Sequence, residues 1–356
     1  MSFTPHMRRS GWTSWSILMT VLVLLLAACG TAGDQTGSPA PGEDDSDESE
    51  SPTEEIGQVT VGIGITAGTF GPWIVAVEEG FAAAHGVDMQ IRIFEQGGLA
   101  MEAMLGGEVD ISAPSKATVV PAGAGGAGVV LGIIGTSSDI FGAVSADGIN
   151  SAEDLTDSAV TVGRPEGSSP YFLGQYLEFH GIDETDINVT AVDAASLVPA
   201  ISRGDIQAFF AFEPHVSTAL DEVSGVQLLA RGGDDDVFLD KTTVIVTEEL
   251  AANEPLAAAV MAAMVDATEW MQTNREAAAE HIAEYFDAPA EQHLEDMSIY
   301  EYTVFMDDET IEDLQSIADW MLEEGAIERL PDWDRFINVE PLRTAAPDRV
   351  DVEAPQ

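Results

Sequence analysis

Apolar and polar residues alternate over residues 58–65 (QVTVGIGI), and valine and isoleucine dominate the apolar positions. This pattern predicts a β-strand. Helical spacing follows over residues 73–85 and ends at Gly86, a residue type that commonly closes a helix in the left-handed conformation. The same succession of strand and helix repeats along the chain. Repeats of this kind are typical of α/β proteins in which helices cover a largely parallel sheet.

Later segments extend this pattern and divide it into two units, the second of which begins near Asn150. From Glu248 onward the apolar residues keep helical spacing, which predicts a helical C-terminal portion. Further strands are predicted at residues 87–94, 109–113, 129–135, 141–145, 159–164, 187–191, 206–212, 226–230 and 242–247, and C-terminal helices at residues 256–273, 275–286, 290–296 and 311–324. The pattern therefore predicts two α/β lobes followed by helices.

The amino terminus has the features of an export signal. Arg8 and Arg9 precede an apolar run over residues 17–28, which is shorter than the ~20 residues needed to cross a bilayer. The run ends in two alanines directly before Cys29. This ending resembles a bacterial lipobox, which implies that residues 1–28 are a signal peptide and that Cys29 carries the lipid. The arginine pair leaves both the Sec and the Tat export routes open.

Residues 29–56 have a different composition from the rest of the chain. They are rich in Gly, Ser and Pro, and residues 43–50 are almost entirely acidic. Such a segment has too little apolar surface to fold, and its charges repel one another. We therefore expect a lipidated, disordered tether between the anchor and the folded body.

The charge balance is strongly negative. The chain has 13 Lys and Arg against 63 Asp and Glu, a formal net charge of −50, and its two lysines are Lys116 and Lys241. An acidic surface repels nucleic-acid backbones and anionic lipid headgroups. The composition therefore argues against nucleic-acid binding and against electrostatic docking on a membrane.

The sequence has no pattern typical of a catalytic or cofactor site. Its single cysteine allows no intrachain disulfide and no thiolate cluster for a metal. The histidines are scattered without an H-E-x-x-H motif, and no G-x-S-x-G motif occurs. The glycines at 62, 64 and 68 lack the spacing of a dinucleotide loop. We expect no cofactor, no metal and no enzymatic activity.

A series of motifs resembles one family. The motifs are PWIVAVEEGF at residues 72–81, MLGGEVD at 104–110, TVGRPEGSS at 161–169, GDIQA at 204–208 and FEPH at 212–215. Taken in order, this set resembles the type II periplasmic binding proteins of ABC importers. Within that family it is most similar to the proteins for sulfonates, taurine, nitrate and the thiamine pyrimidine precursor. The likeness covers residues 58–345.

The resemblance implies an α/β fold of two lobes, the Venus flytrap of type II periplasmic binding proteins, with a helical C-terminal portion. Residues 57–147 would form lobe 1 and residues 148–239 lobe 2. Residues 240–345 would return to lobe 1, leaving 346–356 as a tail. A ligand between the lobes would shift the population toward the closed form.

The resemblance also implies partners. We expect a monomer, anchored by lipid on the outer face of the cell membrane, that captures a small molecule. It would deliver that ligand to an ABC permease and, through the permease, to an ATPase.

In open parallel sheets the ligand lies beyond the carboxyl ends of the strands. Several loops in that position open helices, whose free N–H groups and dipole favour anions. The residues expected to bind the ligand are Thr66, Thr69, Phe70, Trp73, Gly97, Ser115, Lys116, Arg164, Ser168, Ser169, Tyr171, Phe212 and Glu213.

Each of these residues also has a purely structural explanation. Ser168 and Ser169 can donate to a ligand or only cap a helix. Lys116 and Arg164 can neutralise a sulfonate or carboxylate, or pair with one of the many acids. The aromatic residues can stack on a ligand or pack in the core. Glu213 can accept from a ligand amine or pyrimidine N–H, or stand in the first turn of a helix.

The preferred ligand is a small organic anion such as an aliphatic sulfonate, taurine or nitrate. Phe212 stands where the family has Trp, and Arg164 where it is often uncharged, so the ligand class stays open. A thiamine-pyrimidine precursor or another aromatic or amine ligand is the alternative. A surface sensor is another alternative function. A pyrimidine synthase on this scaffold would need His- and Cys-rich sites that the sequence lacks.

Overall fold

The computed structural model describes residues 55–352, except 96, 157 and 164–166. The predicted signal peptide, the lipidation site Cys29 and nearly all of the acidic tether lie outside the described residues. So does Arg164, one of the expected ligand-binding residues.

Strands occur at nearly all the positions that apolar alternation predicts. They are β1 (Gly57–Ile63), β2 (Val87–Ile93), β3 (Ile111–Ser112), β4 (Val129–Ser137), β5 (Phe141–Ala146), β6 (Ala159–Val162), β7 (Asn188–Ala191), β8 (Ala208–Phe212), β9 (Val226–Arg231), β10 (Asp240–Val246), β11 (Met306–Asp307) and β12 (Val350–Asp351). The last two strands are short, and they pair with each other in a separate small sheet.

The helices cover the sheets and fill most of the C-terminal third. They are α1 (Ala67–Glu78), α2 (Phe81–Ala84), α3 (Gly97–Leu105), α4 (Lys116–Gly125), α5 (Ser168–Phe179), α6 (Leu197–Arg203), α7 (His215–Glu222), α8 (Glu248–Ala252), α9 (Glu254–Thr273), α10 (Arg275–Tyr285), α11 (Ala290–Met297), α12 (Asp308–Glu323), α13 (Trp333–Phe336) and α14 (Glu340–Ala345). The helical C-terminal portion is confirmed.

Two five-stranded sheets form the centres of two lobes. The first has the order β2-β1-β3-β10-β4, and the second has the order β7-β6-β8-β5-β9. Each sheet contains one strand that runs against its neighbours, β10 in the first and β5 in the second. The two-lobe α/β fold is confirmed, and both sheets are mixed, with four strands in one direction and one strand reversed.

The chain crosses between the sheets twice. Strand β5 pairs with β8 and β9, so the first crossing lies between Ser137 and Phe141, earlier than the expected boundary at residue 147. The second crossing lies between Arg231 and Asp240. The position of β5 depends on partners more than 60 residues away, and local periodicity carries no information about such pairing.

Helix α1 contains a proline that frees a carbonyl for a distant partner. Pro72 has no N–H, so the carbonyl of Gly68 lacks its usual partner within the helix. The Tyr302 hydroxyl donates to that carbonyl over 2.7 Å. Tyr302 is buried, and its bond ties the C-terminal portion to the first helix of lobe 1. Across the described part of the chain, no helix combines the length and apolar character that a membrane crossing requires.

Candidate ligand-binding site

A cavity of about 150 Å³, the inner chamber, lies between the two sheets. One water molecule occupies about 10–15 Å³ on this measure, so the chamber has room for roughly ten non-hydrogen atoms. It opens beyond the carboxyl ends of β1, β3, β6 and β8, the edge where open α/β sheets place their ligands. Its lining residues are Thr66, Thr69, Phe70, Gly97, Gly98, Ala113, Pro114, Ser115, Thr118, Ile140, Phe141, Gly163, Gly167, Ser168, Ser169, Ala194, Phe212 and Asp240.

The structure brings eight of the thirteen expected residues to this chamber. They are Thr66, Thr69, Phe70, Gly97, Ser115, Ser168, Ser169 and Phe212. Trp73, Lys116, Tyr171 and Glu213 lie outside its lining, and Arg164 lies outside the described residues. Ligand contact by any of the thirteen stays a prediction.

A chain of hydrogen bonds crosses the chamber wall from one lobe to the other. Ser168 opens α5 in lobe 2, and its hydroxyl lies 2.5 Å from the hydroxyl of Ser115 in lobe 1. Ser115 in turn donates to Oδ1 of Asp240, the first residue of β10. Ser115 precedes α4 but makes no side-chain cap there, because its hydroxyl is committed to Asp240.

Among the described residues that line the chamber, Asp240 is the one that carries a carboxyl group. Its residue is 5% exposed, and burial raises its pKa to about 6, although the Ser115 hydrogen bond and the charge of Lys116 act in the opposite direction. The carboxyl is therefore mainly ionised at neutral pH and loses its charge in mildly acidic solution.

The lysine expected to neutralise an anionic ligand has a partner within the protein. Lys116 Nζ lies 2.9 Å from Oδ2 of Asp313, and Lys241 Nζ lies 2.7 Å from the same oxygen. Both lysine side chains are buried. Burial raises the pKa of Asp313, but the charges and hydrogen bonds of the two lysines outweigh it and hold that pKa below its usual value. The two lysines of the chain thus share one carboxylate on α12.

Two of the expected aromatic residues are packed within the protein. Trp73 is fully buried in α1, and its indole nitrogen has no hydrogen-bond partner. The Tyr171 ring packs edge-on against Trp320 and Phe238, with centroid distances of 5.2 and 6.0 Å. Burial, followed by the charge of Asp313, raises the pKa of Tyr171 to about 12. Phe70 and Phe212, by contrast, line the chamber.

Glu213 lines a second, wider cavity, the outer groove, of about 1250 Å³. Its carboxylate accepts from Arg231 over 2.6 Å and from the backbone and hydroxyl of Ser217. The groove shares Thr66 and Ile140 with the inner chamber, so the two spaces adjoin. The carboxylates that line the groove belong to Asp139, Glu213, Asp221, Glu222, Asp287, Glu291, Glu295 and Asp296.

Helix N-termini face the chamber from both lobes. Lys116 begins α4 in lobe 1, and Ser168 begins α5 in lobe 2. The sequence places the N-cap of α5 at Ser169, but the helix begins earlier, directly after Gly167. Gly167 has φ 108°, a conformation that only glycine adopts readily, and this lets the helix open directly at the chamber.

Sequence reasoning missed Asp240, Thr118 and Phe141. Asp240 begins β10 (DKTTVIV), a strand whose residues are all buried, and an acidic residue at a strand end was the available signal. Thr118 lies in the first turn of α4, and Phe141 begins β5, which the expected boundary at residue 147 assigns to lobe 1 but which pairs in the second sheet. The described residues contain no cluster of three His, Cys, Asp or Glu side chains placed to hold a metal ion.

Comparison with protein families gives one match over most of the chain, to the NMT1-like family at residues 53–286. A Brucella abortus protein whose name marks it as a candidate binding protein is 28% identical over 222 residues, 60% of this chain and 67% of that protein. A Brucella suis relative with the same kind of name matches equally.

Solved structures share the fold. The aliphatic sulphonate-binding protein of Escherichia coli has a TM-score of 0.67 and 19% identity, covering 84% of this chain and 94% of that one. The alkanesulfonate-binding protein of Xanthomonas axonopodis pv. citri has a TM-score of 0.66 and 16% identity, and the match covers 80% of this chain and 99% of that one. The nitrate-binding protein of Synechocystis PCC 6803 has a TM-score of 0.64 and 16% identity, and the match covers 82% of this chain and 88% of that one. The chain therefore has the two-lobe type II periplasmic binding protein fold.

Proposed function

The chain belongs to the NMT1-like family, and on that premise we propose that it is the solute-binding protein of an ABC importer. It captures a small organic molecule between its lobes and delivers it to a permease. The observation that carries this proposal is the inner chamber, which both lobes line at the carboxyl ends of their strands. Loop hydroxyls and helix N-termini from both lobes face one space there, so a bound ligand would favour the closed form.

The location is part of the same proposal. Residues 1–28 direct export, Cys29 carries the lipid, and residues 29–56 tether the folded body to the outer face of the membrane. A Cys29→Ser variant that is still exported should leave the membrane fraction and enter the soluble extracytoplasmic fraction. A variant that stays in the membrane fraction would contradict lipid anchoring and leave the binding role intact.

The first candidate ligand is a small organic anion, an aliphatic sulfonate, taurine or a nitrate-like ion. The N-termini of α4 and α5 at the chamber support it, because their free N–H groups can donate to an anion. Structural relatives named for sulfonate and nitrate binding share the fold.

The second candidate is an aromatic or amine ligand, the class to which a thiamine-pyrimidine precursor belongs. Two features favour it: Phe70, Phe141 and Phe212 line the chamber, and so does the carboxyl group of Asp240. Neither candidate requires catalysis, and we propose no enzymatic step. A sensor that binds the same ligand would differ only in its partner, which the presence of permease and ATPase genes beside this one would distinguish.

A ligand screen tests the proposed function. The mature protein is purified, and any co-purified ligand is identified by mass spectrometry. Thermal unfolding is then followed with taurine, alkanesulfonates, nitrate, pyrimidines and simple amines. We expect a binding solute to raise the melting temperature by several degrees, because it binds only the folded state. A protein that co-purifies with no ligand and is stabilised by no solute would contradict the proposal.

A further inference from the structure

We propose that the inner chamber selects a ligand that presents a protonated amine or amidinium to Asp240 and Ser168, on a compact apolar or aromatic body. This inference rests on the proposed solute-binding function and names its ligand class. It depends on the direction of the hydrogen bonds in the chamber wall, on the position of the basic side chains, and on the shape of the lining.

The hydrogen bonds between Asp240, Ser115 and Ser168 can run in one direction only while Asp240 is ionised. A hydroxyl has a single proton, and Ser115 gives its proton to Oδ1 of Asp240. The 2.5 Å contact between the two serine hydroxyls must then be donated by Ser168. Both serine protons are therefore used within the wall, that of Ser115 by Asp240 and that of Ser168 by Ser115. This part of the wall therefore offers acceptors to the ligand, namely the lone pairs of Ser168 and of the carboxylate, whereas the donors at the chamber are the N-terminal N–H groups of α4 and α5.

The described lining of the chamber contains no Lys, Arg or His side chain. The buried lysines nearest to it, Lys116 and Lys241, are both bound to Asp313. An anionic ligand would have to approach the carboxylate of Asp240 while both ammonium groups stay paired with Asp313, in a site where burial weakens the screening of charge. A cationic ligand would instead pair with Asp240 and satisfy the acceptors of the wall.

The remaining lining residues indicate the size and the apolar character of the ligand's body. Phe70 lies on α1 in lobe 1, and Phe141 and Phe212 lie on paired strands of lobe 2. The rings of Phe141 and Phe212 are 6.2 Å apart and meet edge to face. A chamber for roughly ten non-hydrogen atoms with phenyl rings in both lobes fits one small ring or a short branched chain.

Two probes with the same body and opposite charge test the inference. Benzamidine and benzenesulfonate are titrated by calorimetry and thermal shift at pH 7.5 into the wild type and Asp240→Asn. The control variant is Asp221→Asn, which removes the charge of an exposed carboxylate on the outer groove. We expect benzamidine to bind the wild type and the control alike, and Asp240→Asn to lose at least about tenfold in affinity. Benzenesulfonate should bind none of them.

A second variant guards against misfolding of Asp240→Asn. Ser168→Ala keeps the charge of Asp240 but removes the acceptor at the start of α5 together with its hydrogen bond to Ser115, and it should weaken benzamidine binding by at least about threefold. Benzenesulfonate binding to the wild type, more tightly still to Asp240→Asn, would overturn the inference but leave the solute-binding function standing. Failure of benzamidine to bind the wild type, or equal affinity of benzamidine for the wild type and Asp240→Asn, would also overturn it. A co-purified ligand then still decides the proposed function separately.

Discussion

Asp240 pairs with Ser137 in the first sheet, at the end of β4 and the start of β10. The chain leaves lobe 1 directly after Ser137 and returns to it at Asp240, so the first crossing begins beside the point where the second ends. Asp240 also lines the inner chamber. The carboxyl group that lines the inner chamber is therefore placed where the chain passes between the two lobes.

Gly232 in the second crossing should tolerate no side chain. A Cβ there would lie 2.7 Å from the carbonyl oxygen of Phe238 and 2.8 Å from that of Ser138 in the first crossing. Gly232→Ala should therefore lower the free energy of unfolding by about 1–3 kcal/mol, because backbone must move. Gly125→Ala is the control, since a Cβ there meets nothing within 4 Å. Denaturant unfolding that places both variants at wild-type stability would refute the tight contact between the two crossings.

Asp313 should be essential to the stability of the C-terminal portion on lobe 1. Its removal leaves the buried ammonium groups of Lys116 and Lys241 without their shared carboxylate. We expect Asp313→Asn to lose about 2–3 kcal/mol, less than a fully buried pair, because the Asp313 side chain is 33% exposed. Asp319→Asn, an exposed acid on the same helix, should change stability by less than about 0.5 kcal/mol. Equal melting temperatures for the two variants would contradict this.

The low pKa of Asp313 also makes the free energy of unfolding depend on pH. A carboxyl whose pKa is lower in the folded than in the unfolded protein stabilises the folded state at pH values above its unfolded pKa, which is about 3.9. That stability is lost as the pH falls through the folded pKa. The difference in unfolding free energy between wild type and Asp313→Asn should therefore shrink in acid. A difference that stays constant from pH 7 down to pH 3 would count against the ion pairs.

Asp240 should make the stability of the protein depend on pH in the opposite direction. Its pKa is raised to about 6 in the folded protein, against about 3.9 unfolded, so the folded state binds the extra proton. Its contribution to stability is fully present below about pH 4 and declines as the pH rises through 6. Relative to Asp240→Asn, the unfolding free energy of the wild type should fall by about 1–3 kcal/mol between pH 4 and pH 7. Thermal unfolding of both proteins across this range, with Asp221→Asn as control, measures it; parallel curves would refute the shift.

Pro72 and Tyr302 should be energetically coupled. Tyr302→Phe leaves the buried carbonyl of Gly68 without a donor, which should cost about 1–2 kcal/mol. In a Pro72→Ala background the restored N–H of residue 72 can reach that carbonyl within the helix, so the same change should cost less. A double-mutant cycle by denaturant unfolding should give a coupling of about 0.5–1 kcal/mol. Additive effects would show that the two donors do not share the carbonyl.

Much of the local structure follows from the sequence. The four long C-terminal helices lie within three residues of their predicted starts, because apolar spacing and flanking caps act over a few residues. Eight of the expected ligand-binding residues line one chamber because the rule that ligands lie beyond strand ends needs only the strand positions. The match of Ser115 to a helix start is likewise a local signal.

Only the tertiary structure decided which strands pair and which charges meet. Strand β10 lies between β3 and β4, and β5 joins the second sheet, because pairing of strands far apart in sequence is set by packing of the whole lobe. The same packing gives both lysines one carboxylate on a helix nearly 200 residues after Lys116. It also brings Asp240 to the chamber. Periodicity determines where elements form, whereas the free energy of a buried charge depends on neighbours that only the folded chain brings together.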